Sequence, residues 1–399
     1  MLSAPPGVWR DPAILSFMVA ETVIWAAIFY SFPALVLQWQ AEFGWSATQA
    51  MGAFSVALAV QGVAAPWVGR LIDRGGAPLG MPLGAMGGLI GLVALTQITT
   101  LWQFYAVWTW LGLMMGFTLY DAAFSVVTRA RGPSARAGIT AITLAAGFAS
   151  TLAYPLTAAM IGVGGWRGAV WVLAALVLAL VLPLLWIGAK RLEGEARTRM
   201  SEQTQKAAAA RQRITGKPGF WPLAGGFALT ALGSAILLAH LLPLMAALGV
   251  PPALAILAAS TIGPAQVAAR VLLMLAGARV SAWQVSLGSF ILLSFAAVTI
   301  GAAAALPMLA LVFALAQGMG NGVISILRPV VTREVMGEAG FGESAGAVAR
   351  LSLFAFAIAP GLGAVLADIA GYGAVIGLCV IAPLLGAALL RRLTPGGEA

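Results

Sequence analysis

Glu21, Asp121, His240, Arg270, Arg328 and Arg350 lie in stretches of otherwise apolar sequence. A charge held in the middle of a bilayer costs roughly 2.5–3.5 kcal/mol on insertion scales, so each needs a partner or a task. Arg270 and Arg350 suit anion binding, because a guanidinium grips a carboxylate with two parallel hydrogen bonds. The bland alternative is that each reaches along its stem to the membrane surface, or bridges to Glu21 or Asp121. Glu21 and Asp121 are candidates to carry a proton, since a carboxyl in low dielectric favours its neutral form and a neighbouring arginine opposes that. A structural ion pair serves equally well for both. His240, the one histidine, suits a proton site, or a soft-metal ligand together with methionines. Its nearest methionine, Met245, is five residues on and off one helical face, which weakens the metal option. Arg328, just before Pro329 and one turn from a helix end, suits a gate. Tyr30 and Tyr120 can line a solute site with Trp25, Trp108, Trp110 and Tyr154, and Asn321 adds a polar side chain. No residue set with metal-ligand spacing stands out, so no metal site or cofactor is expected.

These residues need a scaffold, and composition says which kind. Of 399 residues 61% are hydrophobic and only 9% are charged, against about 25% charged in a soluble domain. Lipid must be the solvent for most of the chain. A span needs about 20 apolar residues to cross a roughly 30 Å core. By that measure the first half spans at 13–38, 46–69, 78–98, 101–128, 138–162 and 166–188. The second half spans at 220–247, 252–276, 281–304, 306–332, 344–368 and 372–390. The predicted fold is an all-α membrane protein of twelve transmembrane helices in two six-helix bundles, 1–189 and 220–399, joined by a cytoplasmic linker, 190–219. The linker holds Lys190, Arg191, Arg197, Arg199, Lys206, Arg211, Arg213 and Lys217, and its Ala run at 207–210 suggests a short surface helix.

Lysine and arginine placement sets the orientation. With the N-terminus inside, the inner turns hold Arg70, Arg74, Arg129, Arg131, Arg136, Arg279, Arg328 and Arg333, and the tail holds Arg391 and Arg392. Arg167 is the basic residue of the outer turns. Both termini are therefore predicted to be cytoplasmic, in a bacterial-type inner membrane. No cleavable leader is expected, because the first apolar run is too long for one. The net charge of +9 is spread over these turns, so nucleic acid is not an expected partner. Trp39, Trp45, Trp102 and Trp221 lie near helix ends and are expected to anchor the interface. The halves also echo each other. Val126-Val127-Thr128-Arg129 and Val330-Val331-Thr332-Arg333 recur at an offset of 204, which also places Gly116 on Gly320.

The turn Gly69-Arg70-Leu71-Ile72-Asp73-Arg74-Gly75-Gly76 resembles the G-x-L-x-D-R-x-G signature of the major facilitator superfamily, at that family's place between helices two and three. The Gly165-Trp166-Arg167 turn is similar to that superfamily too. The resemblance implies a cytoplasmic gate in which Asp73 pairs with arginines, with Gly69, Arg74, Arg129, Arg328 and Arg333 around it. Further segments resemble the monocarboxylate transporter and oxalate–formate exchanger branch. These are Tyr30-Ser31-Phe32-Pro33, Ile262-Gly263 with Gln266 and Arg270, and Pro360-Gly361-Leu362-Gly363 followed by Asp368, Gly371 and Tyr372. That branch implies Arg270 as the site of a substrate carboxylate. Gln266 stands where it has an aspartate, and Ala34 where its animal members have a lysine.

The expected function is a secondary active transporter of a small, monocarboxylate-like organic anion, working by alternating access and coupled to protons. Its expected substrate-binding residues are Arg270, Arg350, Gln266, Tyr30, Tyr120, His240 and Asn321, with Glu21 and Asp121 coupling protons. The alternatives are export of drug-like amphipathic compounds, or import of a metal ion such as copper, or of a vitamin. Its partners are a small solute, protons and the bilayer, and the chain is expected to be a monomer. An enzyme is not expected, since one histidine and one cysteine supply no cluster of catalytic groups. No Gly-Lys-Ser/Thr phosphate loop is present to drive transport by ATP.

Overall fold

Proline and glycine decide where the apolar runs bend and break, because lipid offers the backbone no other hydrogen-bonding partner. The computed structural model describes residues 7–202, 219–337 and 341–393, and every regular element among them is helical. Among these described residues ten helices are long and apolar enough to cross a membrane. Two of the ten are double. Ala135–Thr198 is broken at Gly165 (φ +65°), and Ser344–Arg391 at Gly371 (φ +75°), a backbone shape that residues with a Cβ rarely adopt. The result is twelve spans.

In chain order they are α1 (Pro12–Phe43), α2 (Ala47–Asp73), α3 (Ala77–Leu95), α4 (Leu101–Arg131), α5 (135–163) and α6 (166–202). The second set is α7 (220–247), α8 (Pro252–Ala276), α9 (Ala282–Ala302), α10 (Leu309–Met336), α11 (341–370) and α12 (372–391). The chain forms two compact units, Leu2–Lys206 and Ala207–Ala399. At the expected start of the linker the chain is still helical: α6 runs on to Glu202, with Leu192, Glu193 and Ala196 buried along one face. Lys206, Arg211, Arg213, Lys217 and the Ala run at 207–210 lie outside the described residues.

Two helices carry a wide π turn, α1 at Trp25–Tyr30 and α6 at Val177–Val181. Both follow from proline. Pro33 and Pro183 cannot donate to the carbonyls four residues back, Phe29 and Ala179, and each ring crowds that carbonyl. Both carbonyls fall inside the widened stretch, where the ladder shifts to reach another donor.

Small residues set the closest approaches within each unit. A Cβ on Gly112 of α4 would collide with the Ala57 carbonyl of α2, and one on Gly116 would stand 3.7 Å from the Gln61 carbonyl. In the second unit a Cβ on Gly318 of α10 would lie 2.5 Å from the Ile262 carbonyl of α8, and one on Gly322 2.6 Å from the Gln266 carbonyl. These contacts pair Gly112 with Gly318 and Gly116 with Gly322, an offset of 206 shared by Gly165 and Gly371. Gly116 therefore matches Gly322, two residues beyond the Gly320 that the offset of 204 indicates. Between the glycines and the Val-Val-Thr-Arg end, α4 is interrupted by Leu119, an extended residue (ψ −176°), whereas α10 runs unbroken.

An aromatic core fills the end of the first unit remote from the basic turns. Phe32 stacks on Phe54 at 4.3 Å, and Trp39 meets Phe104 at 5.0 Å and Trp108 at 5.9 Å. Trp39 and Trp108 are fully buried here, so Trp39 packs the core and does not anchor an interface, and Trp108 does not line an open cavity. Trp102 and Trp221 are 69% and 60% exposed, as interface residues should be.

Candidate functional site

Glu21 sits on the buried face of α1, one turn before the wide π turn, and is 0% exposed. Its Oε2 accepts a 3.1 Å hydrogen bond from Trp25 Nε1, while Oε1 is buried with no hydrogen-bond partner. The ring of Trp25 lies 4.8 Å from Tyr120 and 6.4 Å from Tyr30, and Tyr30 meets Tyr154 of α5 edge-on at 6.0 Å. The Tyr154 hydroxyl is buried and unpartnered as well. Asp121 is exposed in the first turn after the Leu119 break, where a carboxylate favours the helix dipole, and its charge reaches Glu21. The first unit thus gathers Glu21, Tyr30, Tyr120 and Asp121 from α1 and α4, together with Trp25 and with Tyr154 of α5.

In the second unit Arg270 of α8 is 5% exposed, and its Nε donates a 2.9 Å hydrogen bond to the Gly322 carbonyl of α10. The close glycine packing described above brings that carbonyl within reach. Gln266, one turn back, is half-buried. Arg350 is exposed on α11 and does not share the burial of Arg270. Asn321 belongs to a polar chain that sequence reading did not assemble. Gln317 Nε2 donates to Ser234 Oγ at 2.9 Å, and Ser234 Oγ donates to Asn321 Oδ1 at 2.9 Å. Gln317 is 1% exposed and its Oε1 has no partner. The available signal was the spacing of Gln317 and Asn321, four apart on one face of α10.

His240 is fully buried where α7 changes from Phe220–Ala239 to Leu241–Ala247. Both ring nitrogens are engaged, Nε2 with the Pro360 carbonyl at 2.9 Å and Nδ1 with the Tyr372 hydroxyl at 3.3 Å. A metal would have to displace one of them. No group of three or more His, Cys, Asp or Glu side chains lies close enough for a metal among the described residues.

The basic end of the first unit carries an ion-pair network. Arg129 binds Glu193 of α6 through Nε at 3.1 Å and Nη2 at 3.3 Å, and its Nη1 donates to the backbone carbonyl of Asp73. Arg131 binds Glu195 at 3.0 Å and also Asp11, and Arg197 binds Glu193 at 3.2 Å. The expectation for Asp73 changes in detail: Arg129 holds its carbonyl, and Glu193 is the acid that Arg129 pairs with. Asp73 and Arg74 are exposed, and Gly69 has open space around it inside α2. Arg328 is half-buried and Arg333 exposed on α10. In sequence Glu193 lies within 190–219, where the density of charge reads as a linker and hides it. At the opposite end Glu42 accepts from Trp166 Nε1 and from Arg167 Nη1 (2.7 Å), while Arg167 Nε donates to the Thr96 carbonyl at 3.0 Å.

A family model described as Major Facilitator Superfamily matches residues 17–342. No curated protein matches the chain.

Proposed function

This chain belongs to the major facilitator superfamily and is a multi-pass membrane transporter; on that premise we propose that it moves a small organic anion, of monocarboxylate kind, in symport with a proton by alternating access. It would do so in a bacterial-type plasma membrane, as two six-helix bundles whose connection follows the end of α6 at Glu202, with that connection and both termini on the cytoplasmic side. The lysine and arginine distribution supports that orientation. The observation that carries the coupling is Glu21, a buried carboxyl with one oxygen unbonded and a single donor, Trp25, on the other. Charging it in this setting requires water or a cation to reach it, so proton exchange is tied to opening of the bundle. Arg270 is the cation for the substrate carboxylate, with Arg350 a second, and the resemblance of α8 to the monocarboxylate branch supports that role. Moving one net charge is worth about 2.3 kcal/mol per 100 mV, so taking a proton with a monoanion removes the voltage penalty on entry.

Uptake of a labelled monocarboxylate into proteoliposomes, with an imposed pH gradient, tests this. Wild type should accumulate the acid when the outside is acidic. Arg270→Ala should abolish uptake, and Glu21→Gln should abolish accumulation while leaving exchange. Uptake that is indifferent to both substitutions would remove the proposal. The rings of Trp25, Tyr30, Tyr120 and Tyr154 around Glu21 favour a second substrate class, an amphipathic cation moved outward. Proton-driven loss of a fluorescent amphipathic cation from the same vesicles, with no acid uptake, would decide for it.

A further inference from the structure

Neither the anion nor the proton at Glu21 needs His240, yet the surroundings of this ring are built for an imidazole. A Cβ on Gly363 of α11 would lie 2.8 Å from His240 Nε2 and 3.0 Å from Cδ2, so only glycine leaves room for the ring. The Pro360 carbonyl can only accept, so Nε2 carries a hydrogen and donates to it. In the neutral ring Nδ1 then accepts from the Tyr372 hydroxyl. Three helices meet at one side chain: α7 through the ring, α11 through Pro360, and α12 through Tyr372 just after the Gly371 break. Asp368, exposed near the end of α11, acts electrostatically on both His240 and Tyr372.

The other titratable groups are distant along their helices. Those of α8 and α10 are Arg270, Arg328, Arg333 and Glu334, toward the basic end; α9 has none; α11 adds Glu343 and Arg350 near its start. On α12, Cys379 has its carbonyl beside Gly233, seven residues before His240 on α7, and Arg391 is at the far end. Tyr372 and Asp368 are therefore the groups that answer to the ring.

We propose that His240 is a proton-binding site of the second unit, in which a proton added at Nδ1 reverses the Tyr372 hydrogen bond and turns the hydroxyl toward Asp368. The incoming proton comes from water at the exposed Asp368. Nδ1–H then donates to the tyrosine oxygen, Nε2 keeps the Pro360 carbonyl, and the Tyr372 hydroxyl keeps its own hydrogen and donates it in a hydrogen bond to the Asp368 carboxylate. The tie between α7, α11 and α12 is rearranged at its α12 limb, while the α11 limb holds. This site stands whether or not Glu21 carries the coupling proton.

Because the chain has one histidine, ring-¹⁵N-histidine labelling of the full-length protein in detergent or nanodiscs gives one imidazole signal pair. At high pH it should show Nε2 protonated and Nδ1 bare but hydrogen-bonded. On acidification toward pH 4 both nitrogens should become protonated. Tyr372→Phe should remove the hydrogen-bond shift of Nδ1, and Asp368→Asn should move the midpoint down by about 0.5 pH unit or more. An Nδ1–H tautomer at high pH, no protonation between pH 8 and pH 4, or a midpoint unchanged in both variants would overturn the proposal. Should a variant fail to fold, the wild-type tautomer and titration still decide it.

Discussion

A carboxyl removed from water with one oxygen unbonded is a standing cost, of about 1–3 kcal/mol for each unsatisfied buried polar group. Glu21 is such a group, and its sole hydrogen bond comes from Trp25, a residue on its own helix. Nothing in packing demands an acid there. Glu21→Met should therefore raise the stability of the purified protein by about 1–3 kcal/mol in thermal or denaturant unfolding while abolishing proton-driven accumulation. A less stable variant would mean that the carboxyl is satisfied and structural. The sequence made Glu21 and Arg270 visible because a charge inside an apolar run stands out. It did not reveal Gln317 and Ser234, since uncharged polar residues interrupt an apolar stretch too weakly to be noticed, and their meaning lies in the pairing of α7 with α10. It also could not separate Arg270 from Arg350. Both suit an anion by residue type, but burial depends on which neighbour packs alongside, and Arg270 has the glycine-lined α10 against it.

Between residue and bundle, the glycines fix how near two helices come. Gly75 is the sharpest case. Its φ of +83° suits glycine, and a Cβ there would fall 2.6 Å from Glu193 Oε1, in the middle of the Arg129–Glu193 pair. Gly75→Ala should destabilise the protein by about 1–3 kcal/mol and loosen α6 from the α2–α3 turn, read as faster proteolysis after Arg197. Unchanged stability and cleavage would mean that the turn and ion pair are independent. The signature around Asp73 was legible as a motif, but its working contact was not. The structure uses the Asp73 carbonyl, and a backbone atom leaves no trace in residue identity. The helix beyond residue 189 was hidden by its own charge, because Lys190, Arg191, Glu193, Glu195 and Arg197 read as a polar linker until their ion pairs are known.

The whole chain is a duplication whose two copies differ in register over one stretch. Matching Gly112 with Gly318 and Gly116 with Gly322 gives an offset of 206, the Val-Val-Thr-Arg ends past the Leu119 break give 204, and Gly165 with Gly371 gives 206 again. Twelve spans were legible because each needs about 20 apolar residues and few loops are long enough to confuse the count. An even count places both termini on one side, and the basic turns make that side cytoplasmic. Cytoplasm-active reporters fused at each terminus should both be active, and a reporter in the turn near Arg167 should not; any other pattern removes the topology. The wide turns at Trp25–Tyr30 and Val177–Val181 carry one more implication. Each holds a spare residue relative to an ordinary helix, and one residue is worth about 100° of rotation about the axis. Everything in α1 beyond Tyr30, including Phe32 and Trp39, owes its facing to that surplus. Should the bulge slide along the helix, or be erased by a single deletion, the far half of α1 would swivel like a key in its barrel, and the aromatic rings would be aimed at lipid.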